Sequence, residues 1–467
     1  MKKQEVFFYS GLLIYLLVLL ILAIYTNGMA GGGDSISHFL FAQYSWVHHE
    51  LFFDHWAKPL FTMISSPFAQ FGFKGVKVFN VFVATVSCFF TYRTARLLNI
   101  RNAFLIAVFY FSSSLNITIT LSALTEPLFA LALILSIYFY VKQKPLVGSL
   151  LISFLPFIRS EGLIVLCVFV AYLFLTKKLK FIPLLLSGHL IMGIAGFFYY
   201  GDLLWVFNKI PYAENYHNYG SGTWDHFLVH MEFMIGPILY ALLIFGGIGC
   251  MLSIKRNFGK ELWTEKIILV YGVFVCFFFA HSAFWALGIF NSLGLSRVFV
   301  GVMPLISLIA IEGLNSITDL IKQEVVKKTT VALIASGVLI FPFLKNPASL
   351  NFKNDFSLNN GQVMITQQII PYLQTKFPSY KIYSSTIDFP FYMNIDPFNK
   401  NNFGEFKHLR PDFILHDKEI AIWDNWSSVV EEHVTEQALK NKLNIDTVFQ
   451  TTNDGGDIKR YVIFVKK

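Results

Sequence analysis

Six ionisable residues flank or interrupt long apolar segments of this chain, where a charge is costly and is usually retained for function. A carboxylate in such a place can act as a general base toward a hydroxyl group. Lysine and arginine can bind a phosphate, and arginine can do so through two parallel hydrogen bonds. The six residues are Asp34, Lys58, Glu126, Arg159, Glu161 and Arg297. Together they predict a site for an anionic ligand beside a general base.

Asp34 follows Gly31, Gly32 and Gly33 just beyond the first apolar segment. The glycines permit a tight, exposed backbone. We therefore expect Asp34 at the boundary between membrane and water, where it suits a general base. A second interpretation is that Asp34 caps the helix that follows, with Ser35 as a rival cap. The two roles are compatible.

A Lys-Pro-Leu element begins at Lys58, after a stretch rich in aromatic residues. Periodicity over residues 35–52 predicts a helix that lies in the interface with its aromatic side chains toward lipid. Lys58 would then point a cation toward a phosphate, with His55 in support, or else bind lipid headgroups in general. His48, His49 and His55 lack a convincing ligand geometry, so we predict no metal site and interpret them as interfacial histidines.

Glu126 and the pair of Arg159 and Glu161 each have a structural and a functional interpretation. The Thr-Glu-Pro sequence around Glu126 predicts the start of a helix, where a carboxylate is favoured. A carboxylate at that depth needs a partner, and Arg159 and Lys58 are the candidates. Arg159 and Glu161 share a short Arg-Ser-Glu-Gly turn. They either pair to close the turn, or Arg159 binds an anionic ligand while Glu161 positions it.

Arg297 opens a late apolar segment, where its guanidinium either reaches lipid headgroups or clamps a phosphate. Tyr219 and Trp224 lie in a polar, aromatic-rich loop over residues 201–232. Aromatic faces suit sugars, so these two residues are candidates for sugar or acceptor binding. Anchoring in the membrane interface is the alternative interpretation for both.

Membrane helices must position these residues. The chain has 467 residues, of which 55% are hydrophobic and 14% charged, with a mean hydropathy of +0.55. Soluble domains carry roughly 25% charged residues. The chain is therefore predicted to be an all-α polytopic membrane protein with about eleven transmembrane helices. The predicted spans are 6–25, 78–98, 103–120, 122–141, 146–158, 162–176, 181–200, 233–254, 267–288, 297–317 and 329–344.

The basic residues predict the orientation, because cytoplasmic loops collect lysine and arginine. Most basic residues of the short loops fall inside when the N-terminus is cytoplasmic. The C-terminus is then outside, and three outer regions remain, 27–77, 201–232 and the tail. The six residues lie at outer helix ends or in outer loops. The net charge of +8 is thus explained by membrane orientation, and a nucleic-acid partner is excluded.

Two domains are predicted: a membrane domain over 1–345, and a small soluble extracytoplasmic α/β domain over 350–467, where the composition becomes that of a soluble protein. Asp454 to Asp457 predict a hairpin turn in the tail. The predicted strands are Lys381–Thr386, Phe413–His416, Ala421–Asp424, Thr447–Thr451 and Arg460–Val465, and the predicted helices are Val363–Lys376 and Val429–Lys442.

In their order and on one side of the membrane, these motifs resemble the GT-C superfamily of integral-membrane glycosyltransferases, particularly its protein O-mannosyltransferase and aminoarabinose-transferase branch. The matching elements are the acidic residue after the first helix, Lys-Pro-Leu, Thr-Glu-Pro, Arg-x-Glu-Gly and the arginine that opens a late span. The resemblance covers residues 1–345 and the plan of an extracytoplasmic tail. Two features depart from it. Ser35 stands where many relatives have a second acidic residue, and Ser112–Thr120 lacks a metal-binding acidic pair.

The resemblance implies an inverting hexosyl- or pentosyltransferase that moves a sugar from a polyprenyl-phosphate donor to an acceptor hydroxyl on the outer face. The implied partners are that donor, a protein, lipid or glycan acceptor, and the bilayer. No cofactor is expected. We expect a bacterial inner membrane, with the tail facing the periplasm. The predicted site comprises the residues of these motifs, with Asp34 as general base, Lys58, Arg159 and Arg297 at the donor phosphate, and Glu126 and Glu161 in support. The residues themselves add His55 in support and Tyr219 and Trp224 at the sugar or acceptor.

Two other classes of membrane protein remain open. A flippase or transporter of lipid-linked sugars would carry charges along a route through the bilayer and broken helices at mid-depth. In this chain acidic residues are scarce at the inner face and at the centre of the predicted spans. An envelope polysaccharide polymerase or ligase would also have outer arginines. That class offers no evident reason for Asp34 or for the soluble tail.

Overall fold

The structure, a computed structural model, describes residues 3–28, 30–211, 219–257, 264–344, 350, 360–406, 413–452 and 456–467. It divides into two compact units. The first unit comprises Met1–Thr26 and Glu50–Leu350, and the second comprises Asn27–His49 and Asn351–Lys467. This division differs from the one expected from the sequence, because the segment after the first helix groups with the tail.

The described part of the chain is mostly helical. In chain order its α-helices are α1 (Lys3–Tyr25), α2 (Gly32–Tyr44), α3 (Pro59–Ala69), α4 (Gly72–Leu97), α5 (Ile106–Phe111), α6 (Ser114–Thr120), α7 (Glu126–Val141), α8 (Pro145–Ile152), α9 (Gly162–Leu175), α10 (Ser187–Tyr200), α11 (Trp205–Asn208), α12 (His226–Ile235), α13 (Pro237–Asn257), α14 (Val273–Leu287), α15 (Met303–Asp319), α16 (Glu324–Ile340), α17 (Asn360–Met364), α18 (Ile370–Lys376), α19 (Asp388–Tyr392) and α20 (Glu436–Lys440). Short 3-10 helices cover His49–Phe53, Ala103–Leu105, Leu155–Phe157, Leu179–Phe181, Pro183–Leu186, Ser296–Val302 and Phe341–Phe343, and π-helical segments cover Lys266–Gly272, Ile365–Ile369 and Ser427–Glu431.

Every apolar segment predicted to span the membrane is helical, so the protein is an integral multi-pass membrane protein. Six helices of the described residues are long and apolar enough to cross a bilayer, and a bent pair would make a seventh. Several shorter apolar helices, such as α7 and α9, accompany them. The count of about eleven spans therefore stays a prediction.

Two predicted spans are interrupted. Residues 103–120 form two helices bent by 73°, and the break falls at the serines Ser112 and Ser113. Ser113 caps the second helix by accepting a hydrogen bond from the backbone N–H of Asn116. Residues 233–254 belong to α12 and α13, which are separated at Gly236, where φ is 85°. In both places a local backbone preference ends one helix and begins another.

Ion pairs join the helix ends that the sequence places on the side of the N-terminus. Arg96, near the end of α4, lies 3.2 Å from Glu5 at the start of α1. Arg101, just beyond α4, lies 2.5 Å from Asp319 at the end of α15. These ends therefore meet at one end of the first unit. Which side of the membrane this end faces stays a prediction.

The second unit contains a five-stranded sheet of order β2-β1-β3-β5-β4. Its strands are β1 (Lys381–Ser384), β2 (Phe403–Gly404), β3 (Glu419–Asp424), β4 (Asn444–Thr452) and β5 (Ile458–Val465). The first three strands pair in parallel, and β5 runs antiparallel to both β3 and β4. Alternate residues of β3 are buried on opposite faces: Ile420 and Ile422 pack in one core cluster, and Ala421 and Trp423 in another. The predicted small α/β domain is confirmed.

Three details of the tail differ from expectation. Phe413–His416 is not a strand, and the extra parallel strand is Phe403–Gly404 instead. The helix expected over 429–442 is divided into a π-helical turn and α20. The antiparallel pairing of β4 with β5 confirms the hairpin, although Asp454 and Gly455 of its turn lie outside the described residues.

Candidate functional site

Glu126 lies at the centre of an ionic cluster in the first unit. The residue begins α7, with Thr125 at the capping position and a proline in the first turn, as the Thr-Glu-Pro sequence predicts. Its side chain is fully buried, yet its Oε1 lies 2.7 Å from Nη1 of Arg159 and 3.4 Å from Nε of Arg297. A buried carboxylate needs such compensation. Arg159 was expected as the partner from the sequence; Arg297 was not.

Arg159 connects this carboxylate to the turn in which it lies. Its Nη2 and Nε donate to Oε1 of Glu161 at 2.7 and 3.3 Å, and its Nη1 donates to Oγ1 of Thr125 at 3.1 Å. The turn is so compact that only glycine fits at position 162: a Cβ there would lie 2.5 Å from the backbone N of Pro156. The Arg159–Glu161 pair therefore does close its own turn. The same guanidinium also reaches α7, which a purely local pair would not require.

Lys58 is joined to the same turn. Its Nζ donates to Oγ of Ser160 at 3.0 Å and to the carbonyl of His55 at 3.2 Å. The side chain is only 7% exposed. The backbone of Lys58 has φ 67° although a proline follows, an arrangement that costs about 1–3 kcal/mol and is typical of functional positions. The strained backbone holds the ammonium group beside Ser160, which lies between Arg159 and Glu161 in the turn.

The electrostatics favour retention of charge in this cluster. Burial is the main cause that lowers the pKa of Lys58 to about 8, while Glu161 opposes the shift and Arg159 adds to it. Burial also pushes the pKa of Glu161 upward, but the charge and hydrogen bonds of Arg159 outweigh it and hold the pKa at about 2. At neutral pH Lys58 is therefore mostly protonated and Glu161 is ionised.

Three basic side chains and two carboxyl groups thus meet here among the described residues: Lys58, Arg159, Arg297, Glu126 and Glu161. A cluster with more cations than carboxylates is suited to an anion, because the anion balances the excess charge in a partly dehydrated setting. The residues come from four segments far apart in sequence. The structure brings all five together.

His281 adjoins the cluster and was missed by the sequence analysis. It lies in α14, is 4% exposed, and packs against Phe277 and Phe299 with ring centroids 4.4 and 6.1 Å apart. Its Nε2 is buried and has no hydrogen-bond partner within the part of the chain that the structure describes. His281 also acts electrostatically on Glu161. A histidine within an apolar span was the available signal.

His55 supports Lys58 through its backbone, and its ring has a separate role. The ring Nε2 lies 3.1 Å from the carbonyl of Val206 and donates to it. Burial, and then the nearby Lys58, lower the pKa of His55 to about 4, so the ring is neutral at pH 7. The ring also lines a small, mainly apolar cavity of about 40 Å³, shared with Ser160 and His189.

Asp34 belongs to the second unit and is not the cap of its helix. The helix α2 begins at Gly32, three residues earlier than expected, and Gly31 at the capping position has φ 80°. Asp34 therefore lies in the first turn, half-buried, where the helix dipole favours a carboxylate. The backbone freedom of glycine permits this earlier start.

The predicted orientation of this segment, with aromatic residues toward lipid, is wrong for Phe41 and Tyr44. The rings of both contact Phe398 of the tail, with centroids 4.9 and 6.2 Å apart. Trp46 is 57% exposed. The other aromatic candidates lie in the first unit: Tyr219 is half-buried, and Trp224, two residues before α12, is 59% exposed.

The three histidines considered for a metal contact different groups. His48 pairs with Asp396, His49 interacts with the carbonyl of Trp46, and His55 with that of Val206. Among the described residues, no group of three or more His, Cys, Asp or Glu side chains is arranged to hold a metal ion.

Solved structures share this fold over the whole chain. An oligosaccharyltransferase from Archaeoglobus fulgidus, tethered with an acceptor peptide, matches with a TM-score of 0.56 and 11% identity over 100% of this chain and 74% of its own. ArnT from Cupriavidus metallidurans, bound to undecaprenyl phosphate, matches with a TM-score of 0.54 and 12% identity over 98% and 97%. The archaeal oligosaccharyltransferase AglB from Archaeoglobus fulgidus, in complex with an inhibitory peptide and a dolichol-phosphate, matches with a TM-score of 0.52 and 12% identity over 100% and 75%.

These neighbours are GT-C membrane glycosyltransferases, and the chain has the GT-C fold, as the sequence resemblance predicts. No protein-family model matches the sequence, and a search of curated proteins found no match.

Proposed function

We propose that this protein transfers a sugar from a polyprenyl-phosphate donor to an acceptor hydroxyl on the extracytoplasmic face of the membrane. The observation that carries the proposal is the buried cluster in which Arg159 and Arg297 share the carboxylate of Glu126, with Lys58 tied to the same turn. Its excess of basic groups suits a phosphate. ArnT, which has the same fold, is bound to undecaprenyl phosphate, and AglB is in complex with a dolichol-phosphate.

The proposed reaction is a single displacement. The acceptor oxygen forms a bond to the anomeric carbon while the bond from that carbon to the phosphate oxygen breaks. Asp34 takes the proton of the acceptor hydroxyl, and the bonding electrons leave with the polyprenyl phosphate. Attack opposite the leaving group inverts the anomeric configuration. The phosphate ester leaves as a stable anion, so the reaction needs charge stabilisation and no general acid.

The three basic side chains have different parts in this proposal. Arg159 and Arg297 are planar donors that can bind the phosphate oxygens through paired hydrogen bonds. Lys58 adds a point charge. Glu126 and Glu161 hold the guanidinium groups in place before the donor arrives, which lowers the reorganisation needed as negative charge develops on the leaving phosphate.

Reconstitution tests the proposal directly. The purified protein, placed in liposomes, is incubated with a panel of undecaprenyl-phosphate hexoses and pentoses and with protein, lipid and glycan acceptors. We expect free undecaprenyl phosphate together with a glycosylated acceptor. Intact donor moved to the other leaflet would instead identify a flippase and contradict the proposal. A growing chain that stays on its lipid would identify a polymerase.

A further inference from the structure

The helix that carries Asp34 packs against the C-terminal tail. Phe39 of α2 meets Phe391 edge to face, with ring centroids 5.6 Å apart and planes at 88°, and Phe41 meets Phe398 at 4.9 Å and 74°. Phe39 is 3% exposed. Offset and edge-to-face pairs of this kind stabilise packing beyond the area that they bury. The contacts join residues more than 300 positions apart in sequence.

A hydrogen bond between two side chains holds the other end of this contact. His48, just beyond α2, lies with its Nε2 2.8 Å from Oδ2 of Asp396, and both side chains are largely buried. The second oxygen, Oδ1, accepts a hydrogen bond from the backbone N–H of Phe398 at 2.9 Å. Asp396 is therefore oriented by its own turn before it binds His48. The same turn presents Phe398 to Phe41 and Tyr44.

Without this contact α2 would be a marginal helix. It has 13 residues and begins with two glycines, and isolated helices shorter than about 12–15 residues are barely stable in water. Its buried residues include Ile36, Phe39 and Leu40, so packing must supply its stability. Asp34 lies in the first turn of the same helix. Its placement therefore depends on residues of the tail.

We propose that the C-terminal domain acts as a positioning element, which holds the helix of Asp34 in the geometry required for transfer. Phe398 and Asp396 are positioning residues in this assignment, because they act through α2 rather than on the substrate. The inference rests on the proposed function, in which Asp34 is the general base. It assigns the tail a task in the chemical step, and this task is separate from recognition of any acceptor.

Two readouts on the full-length reconstituted protein test the inference. Phe398→Ala removes the aromatic contact, and His48→Ala removes the hydrogen bond to Asp396 from the α2 side with the tail sequence unchanged. Asp417→Ala is the matched control, because Asp417 is highly exposed and pairs with Lys466 on the surface of the same domain. Amide hydrogen exchange of residues 32–44 reports docking. Steady-state transfer reports kcat and the KM for the donor.

For both variants we expect faster exchange over residues 32–44 and a fall in kcat of about tenfold or more, because a misplacement of about 1 Å can cost that much. The KM for the donor should stay within about twofold, since phosphate binding is assigned to the first unit. The control should match the unmodified protein in both readouts. His48→Ala keeps the test valid if Phe398→Ala does not fold.

Three outcomes would overturn the inference. Unchanged exchange over 32–44 would mean that these contacts do not hold α2. Faster exchange with unchanged kcat would mean that transfer does not require the tail to hold α2 in place. A rise in donor KM with unchanged kcat would assign the tail to binding instead. By contrast, no transfer by the unmodified protein would overturn the proposed function itself, whereas the exchange data would still report whether the tail holds α2.

Discussion

Arg159 and Arg297 share a single carboxylate oxygen. Oε1 of Glu126 lies 2.7 Å from Nη1 of Arg159 and 3.4 Å from Nε of Arg297, inside a unit where the Glu126 side chain has no exposure to solvent. Two guanidinium groups this close repel each other, and the carboxylate offsets that repulsion. The arrangement fixes both cations with one anion and leaves the cluster, together with Lys58, richer in positive charge.

The shared carboxylate predicts a large loss of stability for Glu126→Gln. The substitution keeps the shape of the side chain but removes the buried negative charge that two guanidinium groups share, while Arg159 keeps its pair with Glu161. Breaking a buried pair costs about 3–5 kcal/mol. Thermal unfolding in detergent measures the effect. The control is Glu5→Gln, whose pair with Arg96 is exposed, so its expected cost is about 0–1 kcal/mol. Equal shifts in Tm for the two variants would contradict the central role of Glu126.

The proposed phosphate contact predicts that Arg297→Lys weakens binding of undecaprenyl phosphate. Lysine keeps the charge but cannot make paired hydrogen bonds, so we expect about a tenfold rise in Kd, or about 1.4 kcal/mol. Binding to protein in nanodiscs measures it. Arg101→Lys is the control, because Arg101 forms an exposed pair with Asp319. Unchanged affinity in Arg297→Lys would remove Arg297 from the phosphate site.

Lys58 predicts a pH dependence of undecaprenyl-phosphate binding. Its pKa is lowered to about 8, so the side chain carries its charge below that pH and loses it as the pH rises through that value. The phosphate is already ionised across this range, because its second pKa is about 6. Affinity for undecaprenyl phosphate should therefore fall between about pH 7.5 and 9.5. Lys58→Arg should flatten the profile, because arginine stays charged. A flat profile in the unmodified protein would contradict the prediction.

Asp34→Asn should abolish transfer while leaving donor binding unchanged. A general base typically contributes about 10²- to 10⁴-fold to the rate, and asparagine cannot accept the proton. Transfer assays and binding of an undecaprenyl-phosphate sugar measure the two effects. Asp202→Asn is a useful control, since Asp202 caps a local turn by accepting from the backbone N–H of Leu204. Full activity in Asp34→Asn would remove Asp34 from the mechanism.

His281→Phe separates a functional from a structural histidine. Its Nε2 is buried without a hydrogen-bond partner among the described residues, and its neighbours are phenylalanines. An unpartnered buried polar group costs about 1–3 kcal/mol, so phenylalanine should maintain or raise Tm. We expect kcat to fall in spite of this, because His281 adjoins the proposed phosphate site. Unchanged turnover would leave His281 with no part in the reaction.

Local patterns in the sequence were sufficient to predict most of the helices and strands. Apolar length predicted the helices, Thr-Glu-Pro predicted the start of α7, and alternation predicted strands such as β3 and β5. These features are local, since each depends on hydrophobic periodicity or on caps within a few residues. The strand predicted at Phe413–His416 failed because a short apolar alternation does not decide whether a neighbouring strand is available to pair with it.

The partners of the site residues, by contrast, follow from long-range packing. Glu126 could be recognised as a carboxylate in need of a cation, but its second partner, Arg297, is supplied by a segment 171 positions later. The interfacial periodicity of residues 35–52 gave no indication that Phe41 would meet Phe398. The positive φ of Lys58 could not be predicted from its neighbours in sequence either. Such contacts depend on which distant surfaces complement each other in shape and charge, and that information is not contained in any local window of sequence.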